Sequence, residues 1–236
     1  MDDSEVLTRV RQLRERGSSP KQIARVLGLR PAQVAPLVRR LAEQDQAQSD
    51  PAQRDLLGCW VNPGWSVGLG LDQTPGWAEL DRPEPGGPGG SGLARVLLAR
   101  RERASRATVC GFLVDLYCLG VKSVIGPLGM GSGSIDTYRR QYFSSFGGPP
   151  LSVPVELAQQ LVHGAVGYAR GLGFEPPDDF GPAAAHLGEP TTPAPIQFGR
   201  DGTPWYISGP HDDPHAVLEK LTTTAGPGNF HYILGM

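Results

Sequence analysis

Cysteine is scarce in this chain: Cys59, Cys110 and Cys118 are the only three in 236 residues, at spacings of 51 and 8. An odd number so placed builds neither a disulfide framework nor a zinc knuckle, so reduced and mostly buried thiols are expected. Long apolar runs are missing too, and none reaches the length needed to cross a bilayer. The opening MDDSEVLTRV is acidic, unlike a secretory signal, which makes a cytoplasmic location and no membrane contact the expectations. HExxH and CxxC are absent, the glycine-rich stretch lacks the Lys-Ser/Thr of a P-loop, and no cofactor or metal is signalled.

Glycine and proline, at 32 and 23 residues, imply many turns and long loops, while 39% hydrophobic residues still allow a core. The length suits a small module plus a domain of ordinary size. A formal charge of −2 conceals an asymmetry. Between Ser4 and Ala42 nine Lys or Arg face only Glu5 and Glu15, which gives +7, whereas the chain from Pro51 onward has thirteen basic and seventeen acidic residues, or −4. A polyanion is attracted to one end only.

At that end, Val6, Leu7, Val10 and Leu13 recur at helical spacing and Gly17 follows as a stop. Ser19-Pro20-Lys21-Gln22 reads as a capping box opening a second helix with Ile23, Ala24 and Leu27 inside. Gly28 supplies a tight turn, Leu29 plugs the core, and Pro31 opens a third helix that buries Val34, Leu37, Val38 and Leu41. The segment SPKQIARVLGLRPAQVAPLVRRL resembles the helix-turn-helix domains of bacterial regulators. That resemblance implies that Gln33 and Arg30 face bases while Lys21, Arg25, Arg39 and Arg40 face the phosphate backbone. The third helix departs from the family pattern: Pro36 removes an amide that would bond to Ala32, and Ala32, Ala35 and Pro36 offer no hydrogen-bonding side chains to bases. A three-helix module that holds a protein partner, its arginines merely solvated, is the alternative.

Residues 1–45 are assigned to this module, 46–56 to a linker and 57–236 to a second domain, with an exposed Gly/Pro-rich loop at 83–92. EQDQAQSDPAQRD, from Glu43 to Asp55, lacks an apolar period and reads as linker or frayed helical extension. Trp60, Trp65 and Trp77 stand among turn residues, as in an irregular packed cap. LARVLLARRE and ATVCGFLVDLYCLGV read as an antiparallel strand pair linked at Arg103 to Arg106, the second strand central and covered on both faces. Helices are expected from Ser134 to about Phe146, from Pro154 to Leu172 and near Asp179 to Leu187. IQFGRDGTPWYIS reads as a hairpin on an Asp201-Gly202 turn, Asp213-Pro214 opens a helix to about Thr224, and NFHYIL closes as a strand. The fold class is α+β: a three-helix helix-turn-helix module followed by an antiparallel-sheet α+β domain. GFLVDLYCLGVK and LVHGAVGYARGLGFEP resemble a module of uncharacterised bacterial proteins, and no activity comes with that resemblance.

Asp115 lies within the most apolar run of the chain, TVCGFLVDLYCLGVK. A buried carboxylate requires a cation or several donors, or else it becomes neutral. Lys122, Arg95 and Arg100 are available partners, and a structural anchor or a general acid, base or metal ligand are the two readings. HDDPH, from His211 to His215, draws as a metal site, yet Asp212 or Asp213 as a helix cap explains the same letters. His163 falls on the polar strip Glu156, Gln160, His163, Gly167 and Arg170, where a solvated imidazole is ordinary. GPLGMGSGS, Gly126 to Ser134, reads as a mobile loop rather than a phosphate cradle. Arg95, Arg100, Arg101, Arg103 and Arg106 form either a second nucleic-acid surface or a solvated hairpin edge defended by charge.

The expected function is that of a nucleic-acid-binding protein, a DNA-binding transcriptional regulator whose second domain supplies oligomerisation, sensing or partner contact. DNA, a second copy of the chain and a protein partner are the expected associates. A metal-dependent nuclease or hydrolase centred on Asp115, and an adaptor that docks on a ribosome or another protein, are the alternatives.

Overall fold

The computed structural model describes residues 3–48, 50–71, 76–81, 92–146, 148–191 and 196–235. The chain forms two compact units, Met1–Asp50 and Pro51–Met236. In the first, α1 (Asp3–Glu15), α2 (Pro20–Leu27) and α3 (Pro31–Gln48) pack together around Val10, Ile23, Ala24, Val34 and Leu41. Local chemistry sets each boundary. Gln22 N donates to Ser19 Oγ and Ser19 N to Gln22 Oε1, which closes the capping box at the start of α2. Gly28 takes the left-handed φ of 66° that ends α2, where its amide bonds to Ala24 O. Pro36 lies inside α3, and the helix runs on through it to Gln48.

Among the described residues of the second unit, the central element is a five-stranded antiparallel sheet. It comprises β1 (Leu56–Val61), β3 (Leu93–Arg103), β4 (Arg106–Asp115), β5 (Gly120–Gly131) and β6 (Leu151–Ser152), in the order β5-β4-β3-β1-β6. The intervening β2 is Gly70–Leu71. One sheet face buries Val96, Leu98, Cys110, Phe112 and Val114 against Leu157, Leu161, Val162 and Ala165 of α5 (Val155–Gly171) and Ala183 and Leu187 of α6 (Phe180–Leu187). The other face packs Leu97, Ala99, Ala107 and Val109 against Ile135 of α4 (Ile135–Tyr142) and Phe143. Strand β4 thus lies inside the sheet, between β3 and the edge strand β5, and is covered on both faces, as its unbroken apolar run implies. A fourth cluster joins Cys118, Leu172 and Tyr206 to Leu221 of α7 (Pro214–Thr224), beside the parallel pair β8 (Trp205–Ile207) and β9 (His231–Ile233).

Several expectations are corrected. The glycine-rich stretch is not a loop: residues through Gly131 continue β5, with Leu128 opposite Val109 and Gly131 opposite Arg106. A neighbouring strand supplies the ladder of hydrogen bonds that local composition cannot predict. Ser134 makes no side-chain cap, because a 3-10 turn, Ser132–Ser134, leads into α4, which stops at Tyr142. Trp60 is a strand residue of β1 rather than part of a cap. The Asp201-Gly202 turn forms, with φ of 52° and 80° and an Arg200–Thr203 bridge, but its arms separate. Ile196 and Gln197 (β7) pair with β2, while β8 pairs with β9, since Ile196 and Phe198 join the main core and Tyr206 the α7 cluster. The segment at 83–92 lies outside the described residues except for Gly92.

Candidate nucleic-acid interface

Lys21 and Arg25 of α2, Arg30 at the start of α3, and Gln33, Arg39 and Arg40 of α3 are all exposed. At 3.6 residues per turn, the exposed positions of α3 between residues 32 and 41, Ala32, Gln33, Ala35, Pro36, Arg39 and Arg40, fall in one stripe roughly 160° wide. Its C-terminal half is cationic and its N-terminal half is small and apolar apart from Gln33. None of the charged groups of Lys21, Arg25, Arg30, Arg39 and Arg40 has a carboxylate partner among the described residues. Arg14, by contrast, ties α1 to α3 by donating from Nη1 to Val38 O at 3.2 Å.

Gln33 has a local duty that the sequence pattern did not suggest. Its Oε1 accepts from Arg30 N at 2.9 Å, capping the first turn of α3. A bidentate grip on adenine uses both the oxygen and the amide nitrogen of a glutamine. Forming that grip here requires the cap to open. A glutamine three residues after a helix start, following a non-capping residue, was the available signal.

Asp115 lies elsewhere, at the last position of β4, and its Oδ1 accepts from Tyr117 N at 2.9 Å and Cys118 N at 3.0 Å. The side chain is only 5% exposed. Burial pushes its carboxyl up to about 6, against the opposing pull of the Tyr117 amide, the Lys122 charge and the Cys118 and Leu119 amides. The carboxylate therefore organises the turn from β4 to β5. Lys122 makes its own ion pair with Asp212, Nζ lying 2.8 and 2.7 Å from the two carboxylate oxygens. Burial raises the Asp212 carboxyl, but Lys122 and the Gly209 amide outweigh it and hold the group below its ordinary value.

The other candidates divide between packed positions and surface pairs or caps. Arg100, 5% exposed, donates from Nε to His186 O at 2.6 Å and from Nη1 to Arg54 O at 2.7 Å. Arg95 donates to Tyr142 O, Arg101 pairs with Asp55, and Arg106 pairs with Glu102. Arg95 and Arg100 thus lie inside the sheet on β3, whereas Arg101, Arg103 and Arg106, at the hairpin end beyond the last β1 pair, are exposed. Asp213 caps α7 by accepting from Ala216 N, which accounts for one acid of HDDPH as the Lys122 pair accounts for the other. His163 is not simply solvated: it is half-buried, with Nε2 3.0 Å from Gly188 O and its ring edge-on to Phe180. Segments after α5 fold over that face, and Gln160 is buried with it. All three cysteines are free and buried. No group of three His, Cys, Asp or Glu among the described residues is placed to hold a metal ion, and no described helix is long and apolar enough to cross a membrane.

Protein-family models, curated proteins and solved structures give no match to this chain.

Proposed function

We propose that the chain is a nucleic-acid-binding protein, a DNA-binding transcriptional regulator whose first unit grips duplex DNA in the manner of a helix-turn-helix. Its second unit supplies oligomerisation, sensing or partner contact. The observation that carries this reading is the set of five exposed cations on α2, α3 and the turn between them, none held by a carboxylate among the described residues. Unpaired surface cations gain from phosphate contact because condensed counterions leave the DNA. Lys21, Arg25, Arg39 and Arg40 take the backbone contacts, and Arg30 and Gln33 stand where base edges are read. With Ala32, Ala35 and Pro36 on the same stripe, attraction exceeds sequence discrimination.

The test is fluorescence anisotropy of the full chain with a labelled duplex over a salt series. Four phosphate contacts give a slope of log K against log salt near −3.6, at about −0.9 per contact. Joint Arg39→Ala and Arg40→Ala substitution flattens that slope by about 1.8. Salt-independent association, or a slope untouched by the double substitution, refutes the reading. The docking-adaptor alternative draws on one observation: Val26 of α2 is 64% exposed on the same unit. In that case, binding from a cell extract survives nuclease treatment and is lost in Val26→Asp.

A further inference from the structure

Between α4 and strands β1 and β6 lies a cleft of about 500 Å³, within the range of small-molecule sites. Its walls are aromatic and prolyl, from Trp60, Phe143, Phe146 and Pro150, while Arg139 and Arg140 supply positive charge. Helix α4 does not need both arginines for its own C-terminus. Arg95 already donates to Tyr142 O and Ser144 Oγ to Gln141 O, so these last-turn carbonyls are satisfied by other donors. Among the described residues, Arg140 Nη2 reaches the neutral Thr137 hydroxyl, at 3.2 Å, and no carboxylate. Arg139 stacks over the Trp60 ring at 5.1 Å and meets Asp136 at 3.2 Å through Nη2, while its Nε is buried without an acceptor among the described residues. An exposed arginine with no carboxylate partner among the described residues, beside an apolar wall, suits a ligand with an anionic end and an apolar body.

We infer that this cleft binds a small organic anion, a carboxylate or sulfonate on an aromatic body. The anionic group meets the exposed Arg140 guanidinium, and the ring lies against Phe143, Phe146 and Pro150. This site is independent of the nucleic-acid reading, because it is scored on the full chain without DNA.

The probe is 1-anilinonaphthalene-8-sulfonate, titrated by fluorescence and calorimetry beside its uncharged analogue N-phenyl-1-naphthylamine. The expected result is saturable one-to-one binding of the sulfonate, with the uncharged analogue about tenfold weaker, as loss of a charge-assisted contact implies. Arg140→Gln, at an exposed position, weakens the sulfonate about tenfold while leaving the melting temperature unchanged. Phe146→Ala weakens both probes. Tyr232→Ser, at the exposed apolar β9, changes neither. Absence of saturable binding, equal affinity for the two probes, indifference to Arg140→Gln, or loss of binding in Tyr232→Ser each overturns the inference.

Discussion

Replacing Asp115 by asparagine should stabilise the second unit at neutral pH, although the carboxylate makes hydrogen bonds in the fold. Burial moves the carboxyl from 3.8 to about 6 in spite of the Tyr117 and Cys118 amides. At about 1.4 kcal/mol per pKa unit, the ionised form is disfavoured in the fold by roughly 3 kcal/mol relative to the unfolded chain. Between pH 4 and 6 the folded state binds more protons than the unfolded one, so stability falls as pH rises through that window. Asparagine keeps an oxygen for the two amides and removes the charge, but its NH2 group needs a new acceptor, a cost of about 1 to 2 kcal/mol. Net stabilisation of about 1 kcal/mol at pH 7.5 is expected, shrinking and then reversing toward pH 4. Asp115→Ala leaves both amides without the carboxylate and should be about 2 kcal/mol less stable than Asp115→Asn at any pH. Trp60, Trp65, Trp77 and Trp205 all belong to the second unit, so urea unfolding followed by tryptophan fluorescence reports it alone. A difference between wild type and Asp115→Asn that stays constant from pH 4 to 7.5, or equal stability of the asparagine and alanine variants, refutes the reasoning.

Lys122→Met strands the largely buried Asp212 carboxylate and should cost about 3 kcal/mol at pH 7. That loss diminishes in acid once Asp212 is protonated, as urea midpoints at pH 7 and pH 3 can show. Gly120→Ala combines a φ of +70° with a Cβ only 2.8 Å from Ala169 Cβ and 3.0 Å from Ala165 O, so the thermal midpoint should drop sharply. The expected loss is about 2 to 4 kcal/mol. Burial pushes the thiols of Cys59 and Cys110 up to about 12 and raises Cys118 further. At pH 8 the folded chain should therefore react negligibly with a chromogenic disulfide reagent, and all three thiols should titrate after denaturation.

Signals of short range were legible in the sequence. The Ser19–Gln22 capping box, the left-handed Gly28, the Asp213 cap with Pro214 and the long apolar β4 all depend on contacts within a few residues or on burial of an entire run. Amphipathic spacing likewise located the three helices and their inner faces. The exposed cations of α2 and α3 follow from the same periodicity, since the positions left over from a buried stripe must face outward.

Sequence by itself determined the α+β character, the helical start and the uneven charge, because propensity, capping and periodicity act over one or two turns. Tertiary structure alone decided that a glycine-rich stretch becomes an edge strand, that the arms around Asp201-Gly202 join different sheets, and that Asp115 serves a turn while Lys122 pairs with Asp212. It alone also brought Trp60 alongside Arg139, residues 79 positions apart. Such contacts join distant segments whose affinity for one another has no local signature, and they form only once the apolar faces have chosen which core to enter.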